Sequence, residues 1–147
     1  MKKTKLPQWE TELRQLYKKF SPKEQKWLEN RRYWKDSCFL FFLDEPIYKS
    51  QGFIELFDWR EGYNGYYLNF GILSECRGEG WLSKGMRKMI KCIGKDIKNK
   101  DWIYWGVYKD NELSIKLAKK YGFIYEKDWR KTQELYKQTF GDFKKQF

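Results

Sequence analysis

From residue 8 onward the apolar positions fall at Trp9, Leu13, Leu16, Tyr17 and Phe20, the spacing of a helix with one buried stripe. A second helix is predicted to restart at Ser21. Ser21 can cap it, Pro22 suits its first position, and Glu24 closes a capping box. Trp27, Leu28, Arg31 and Trp34 carry that helix on. The pattern then changes period. Residues 39–43 are an unbroken apolar run of strand length, and Asp44-Glu45-Pro46 turns the chain. Residues 47–57 read as the next strand, with Gly52 marking a bulge or a close approach. Residues 60–65 are turn material, and residues 66–73 complete an antiparallel meander.

The second half alternates strand and helix. A helix is predicted from Trp81 to about Lys95, with Met86, Met89, Ile90 and Ile93 on one face. Gly85 weakens it by up to about 1 kcal/mol while permitting close packing on a sheet. Residues 102–108 are a strand dense in aromatics. Asp110-Asn111-Glu112 opens a helix that buries Leu113, Leu117 and Tyr121 and stops at Gly122. Residues 123–125 and 132–140 read as two closing strands. The first five residues are a basic leader that frays, and the tail from Gly141 is polar and loose. No repeat or linker interrupts the pattern, so residues 1–147 are expected to form one domain.

The chain is organised around residues 68–88, LNFGILSECRGEGWLSKGMRK. An apolar strand runs into the turn Arg77-Gly78-Glu79-Gly80, and a helix follows at once. Two glycines let backbone N–H groups approach a ligand or adopt positive φ, and the helix start points free donors and a positive dipole end at the turn. Such a turn can hold a phosphate. By local pattern alone, a tight connection with no ligand is an equal reading.

Order along the chain sharpens the choice. Ile72, Arg77, Gly78, Gly80 and Ser83 resemble motif A of the GNAT N-acetyltransferase superfamily, whose turn reads Arg/Gln-x-x-Gly-x-Gly/Ala. Val107, Asn111, Ser114, Ile115, Leu117, Lys120, Gly122 and Phe123 resemble the second half of that pattern. The likeness covers roughly residues 37–140. It implies an α+β fold: a central, mostly antiparallel twisted sheet of about six strands, splayed in the middle and flanked by about four helices. It implies transfer of an acetyl group from acetyl-CoA, or another acyl-CoA, to an amine by direct attack in a ternary complex. The pyrophosphate would lie on Arg77, Gly78, Glu79, Gly80, Trp81, Leu82 and Ser83. The pantetheine arm would pair with the backbone of Phe70 and Ile72, and the Phe70 N–H would serve as oxyanion donor. Asn111 would bind the arm or fix its helix, or would cap that helix and do no more. The two N-terminal helices would wall the acceptor cleft or simply cover the core.

Departures from the family pattern bear on catalysis. Leu82 replaces a small residue, so its side chain must point away from the cofactor. Ala118 stands where many members carry the Tyr that protonates the leaving thiolate, and Ser114 and Tyr108 are the nearby hydroxyls that can substitute. Tyr66 stands where some members carry a Glu base. Glu55, on the preceding strand, either faces the cleft as base or is an exposed residue paired with a lysine.

Composition narrows the partners. A net charge of +11 favours acidic ones: a phosphate-bearing CoA, and an acceptor amine on an acidic macromolecule such as aminoacyl-tRNA, nucleic acid or a nucleic-acid-binding protein. A lysine-rich background with no acidic partner is the plainer reading. The alternative function is a non-catalytic binding protein on the same scaffold. The chain has no histidine, which excludes imidazole bases and His-ligated metals, and no metal is expected. Cys38, Cys76 and Cys92 lack paired spacing and read as reduced thiols. With no run of about 18 apolar residues and no signal peptide, the expectation is a cytoplasmic monomer or homodimer away from membranes.

Overall fold

Strands β1 (Ser37–Phe42), β2 (Gly52–Trp59), β3 (Gly65–Ile72), β4 (Trp102–Tyr108), β5 (Ile124–Trp129) and β6 (Gln133–Thr139) form one sheet in the spatial order β1-β2-β3-β4-β6-β5. Helices α1 (Pro22–Trp27), α2 (Arg60–Tyr63), α3 (Trp81–Ile93), α4 (Glu112–Lys120) and α5 (Phe140–Lys145) accompany them. The computed structural model describes residues 15–27, 37–42, 52–72 and 80–147. Every neighbouring pair of strands is antiparallel except β3 and β4, which run parallel. The parallel pair follows from the connection through α3, since a parallel neighbour needs a crossover long enough to return the chain.

Strand alternation and register sort the side chains onto two faces. On one face, Ile54, Leu56, Tyr66, Leu68, Ile103, Trp105, Val107 and Tyr136 pack in one core with Met86 and Met89 of α3, Ala118 of α4, and Phe140 and Phe143 of α5. The opposite face gathers Phe57, Tyr67, Tyr104 and Leu135 beneath Trp59, Tyr63, Trp102 and Trp129. Farther along that face, the Tyr17 ring lies 5.6 Å from Phe53, beside buried Leu16 and Phe20. β2 is therefore covered on both sides, which is why Phe53 through Phe57 are all buried.

Local signals hold where they were strongest. The capping box at α1 is reciprocal: Ser21 Oγ accepts from the Glu24 N–H at 3.2 Å and Glu24 Oε1 accepts from the Ser21 N–H at 3.1 Å. Gly85, Met86 and Met89 form the buried side of α3, with Ile90 and Ile93 packed against the same core.

Several expectations are corrected. The chain beyond Gly141 is not loose, because α5 is capped by Thr139 and seats Phe143 fully in the core. Leu113 points outward at 49% exposure; Ala118 is the buried residue of α4. The β2–β3 register is unbroken from Gly52 onward. The segment after Trp59 forms the single turn α2, and β5 extends to Trp129. The expectations for Trp9, Leu13, Leu28, Arg31, Trp34, the turn at 44–46 and residues 47–51 lie outside the described residues. No helix among the described residues is long and apolar enough to cross a membrane.

Candidate active site

β3 and β4 pair only at Gly65↔Trp102, Tyr66↔Ile103 and Tyr67↔Tyr104, yet β3 runs on to Ile72 and β4 to Tyr108. Their outer edges stay paired throughout, β3 with β2 and β4 with β6. The sheet is thus parted in its middle. The Trp102 N–H donates to the carbonyl of Asn64 at 3.2 Å, so along this strand the main-chain groups of even-numbered residues point toward β4. Past the last pair, Phe70 and Ile72 therefore turn their N–H and C=O groups into the opening, where no strand meets them.

Beyond β3 the chain leads on to α3. Gly80 takes φ 77° in the left-handed region, and its carbonyl accepts the first helical bond from the Lys84 N–H at 3.0 Å. A Cβ at Gly80 would meet no atom within 4 Å, so backbone conformation alone selects glycine here. Leu82 packs against the main core, so its bulk is directed inward. Trp81, Leu82 and Ser83 are half-buried, and the first turn carries no acid to oppose an anion. Arg77, Gly78 and Glu79 lie outside the described residues.

The face opposite α3 holds the polar groups. Glu55 is completely buried, and its Oε1 accepts from Asn69 Nδ2 at 2.9 Å, the two residues being register partners. The exposed placement weighed for Glu55 is overturned. Gly106 and Tyr108 share this face with it. The Tyr67 hydroxyl lies against Gly106, where a Cβ would stand 2.5 Å from its oxygen. Burial pushes its phenol well above the ordinary tyrosine value; Gly106 and the charge of Arg130 oppose that rise, while Tyr108 and Glu55 add to it.

The candidate proton donors are divided between faces. Tyr108 lies at the end of β4 on the Glu55 side, whereas Ser114 rides on α4 across the sheet, its N–H given to Asn111 Oδ1 at 3.2 Å. Asn111 is thus the N-cap of α4, which leaves its amide NH2 for a ligand. Ala118 is fully enclosed and brings no hydroxyl, and Tyr66, which stands in place of a carboxylate base, faces the main core beneath the Arg60 guanidinium at 5.8 Å. Sequence reasoning missed Tyr67. The signal was an aromatic residue on one central strand with a glycine on its neighbour.

A family model described as the acetyltransferase (GNAT) family matches residues 6–123. The chain belongs to the GNAT acetyltransferase family. GNAT enzymes transfer an acyl group, acetyl by default, from acyl-CoA to an amine. Among solved GNAT structures, a ribosomal-protein-S5-alanine acetyltransferase from Vibrio fischeri aligns at TM-score 0.56 and 20% identity, over 76% of this chain and 66% of its own. A spermidine N-acetyltransferase chimera from Vibrio cholerae and hSSAT aligns at 0.54 and 17%, over 71% and 68%. The microcin C7 self-immunity acetyltransferase, solved in complex with acetyl-CoA and AMP, aligns at 0.50 and 18%, over 61% and 54%. This chain spans about two thirds of the first two and about half of the third. At such identities the likeness is one of fold. No curated protein matches the sequence significantly.

Proposed function

We propose that this chain is a cytoplasmic N-acetyltransferase that uses acetyl-CoA and acts on an amine carried by an anionic macromolecule. The observation that carries the reading is the parted sheet, with the main-chain groups of Phe70 and Ile72 turned into the opening. Their chemistry suits a peptide-like arm, which pairs with a strand edge as another strand does. The open space at Gly80 and the acid-free first turn of α3 suit a diphosphate. Acetyl-CoA supplies the activated acetyl group.

The chain's own residues divide the remaining work. The Phe70 N–H holds negative charge on the acyl oxygen. Glu55 takes the proton of the attacking amine, directly or through water, with Asn69 fixing the carboxylate. Tyr108 returns a proton to the leaving sulfur; Ser114 lies across the sheet from Glu55 and is the weaker candidate. Asn111 orients the arm through its amide, and Arg77, Gly78, Glu79 and Ser83 complete the phosphate cradle.

The acceptor class rests on charge. α3 contains no acidic residue, and Lys84, Arg87, Lys88 and Lys91 are exposed along it. None of the four is ion-paired among the described residues. Such a field attracts and orients a polyanion, and family membership favours catalysis over a contact role. The test is calorimetric titration with acetyl-CoA, followed by assay of free CoA released with aminoacyl-tRNA, nucleic-acid-binding proteins and spermidine. Binding with salt-sensitive release on the anionic acceptors is expected. Absence of acetyl-CoA binding overturns the cofactor assignment, and release with spermidine alone overturns the acceptor class.

A further inference from the structure

The opening between β3 and β4 has a closed end, at the Tyr67↔Tyr104 pair, and rings stand on both sides of it. On the face covered by α3, Phe70 and Trp105 meet across the gap with ring centroids 4.8 Å apart and planes tilted at 56°. Trp105 is only 6% exposed and is braced from behind by Phe123 at 5.4 Å. On the other face, the Tyr67 hydroxyl reaches Gly106, past the point where the strands stop pairing. The Tyr67 ring is itself held by Trp59 at 4.6 Å and Trp129 at 5.8 Å. Gly106 has no space to spare, since a Cβ there would stand 2.5 Å from the Tyr67 hydroxyl oxygen and 2.7 Å from a Trp129 ring carbon.

We propose that Phe70, Trp105 and Tyr67, with Gly106 and Trp129 behind Tyr67, form an acyl-length gate that limits the transferred group to acetyl. The proposal rests on the acyl-CoA reading above. An arm lying along Ile72 and then Phe70, from the wide end inward, delivers its acyl terminus to the closed end. That terminus meets a floor of strand pairing and a ring on each face. The rings are braced by further rings, so they do not swing aside as a lone surface side chain does. Longer acyl groups must therefore displace packed aromatics, and overpacking a filled interior is unfavourable. The gate is built from side chains, whereas the binding of the arm uses main chain, so the two are separable.

The experiment is calorimetric binding of CoA, acetyl-CoA, propionyl-CoA and butyryl-CoA to the full chain, which needs no acceptor. Wild type is expected to bind acetyl-CoA at least about tenfold more tightly than butyryl-CoA, as a shaped pocket discriminates by added methylenes. In Phe70→Ala, which keeps the main-chain donor and trims a half-buried ring, that ratio is expected to fall to about threefold or less. Tyr67→Phe removes only the oxygen at Gly106, and it serves as the second variant, expected to gain propionyl-CoA affinity relative to acetyl-CoA. If wild type binds acetyl- and butyryl-CoA equally, or if both variants keep the wild-type ratio, the gate is overturned while the cofactor reading stands. If wild type binds no CoA at all, the cofactor reading fails and the gate with it.

Discussion

The carboxylate of Glu55, sealed from solvent in the middle of β2, accepts a 2.9 Å hydrogen bond from Asn69, its register partner on β3. A carboxylate is rarely so buried without a reason in chemistry or in pairing. Here it lies one strand away from the opening, on the face that Tyr67 and Tyr108 share. Glu55→Gln keeps size and hydrogen bonding but removes the base. Turnover is expected to fall about 10²–10⁴-fold with acetyl-CoA affinity intact. Full activity in this variant would remove Glu55 from the mechanism.

Gly80 tests the start of α3. Its φ of 77° disfavours any side chain although the surrounding space is open. Gly80→Ala is expected to cost roughly 1–2 kcal/mol of stability and, by shifting the first helical turn, to weaken acetyl-CoA binding. Thermal melts and calorimetry read the two effects separately. Unchanged affinity in a destabilised variant would take this turn out of the cofactor site.

Restoring the family tyrosine is not expected to restore an acid. Ala118 has no exposure and sits within the core that includes Trp105, Val107 and Phe123. Ala118→Tyr is therefore expected to destabilise by about 1–3 kcal/mol or more through overpacking. A lower melting temperature with no gain in rate is the expected result. A faster enzyme of wild-type stability would show that the core opens at this point.

Gly106 and Tyr67 should behave as a coupled pair. Gly106→Ala brings a methyl against the Tyr67 hydroxyl and the Trp129 ring, and a loss of stability is expected. Tyr67→Phe removes one of the two obstacles, so the double variant should recover part of that loss. A double-mutant cycle measures the coupling, which is typically about 0.5–3 kcal/mol for residues in contact. Strict additivity would show that the hydroxyl and the glycine are independent.

Alkaline stability follows from Tyr136. Burial, and then the hydrogen bond its hydroxyl donates to Glu134 at 2.9 Å, push its phenol up to about 12. The folded state therefore holds this proton more tightly than the unfolded chain, which ionises near 10. The sign is fixed: the contribution is complete below about pH 10 and is lost as pH rises toward 12. Melting temperature should fall over that range, and less steeply in Tyr136→Phe. Equal slopes for the two proteins would place the alkaline sensitivity elsewhere.

Much of this was legible in the chain because its causes are local. The Ser21–Glu24 capping box, the Met86 and Met89 stripe, and the glycine demanded at position 80 are each set within a few residues. The Asn64–Trp102 hydrogen bond supplies the physical reason for the main-chain orientation of Phe70 and Ile72. The tail was misread because Phe143 looks like an isolated apolar residue in polar surroundings. Only the core contributed by α3 and β4 gives it somewhere to go. Leu113 was misread because the helical period admits two apolar stripes, and docking on the sheet selects the one through Ala118.

The sequence by itself determined the alternation of strand and helix, the cationic surface, and the glycine-bearing turn before α3, since these depend on residue type and near neighbours. Tertiary structure decided which carboxylate is buried, which tyrosine reaches the parted strands, and how narrow the opening is. Those outcomes depend on register between separate strands, such as Glu55 with Asn69 and Tyr67 with Tyr104. The polypeptide carries no local mark of register, because pairing energies are summed only when the whole sheet closes.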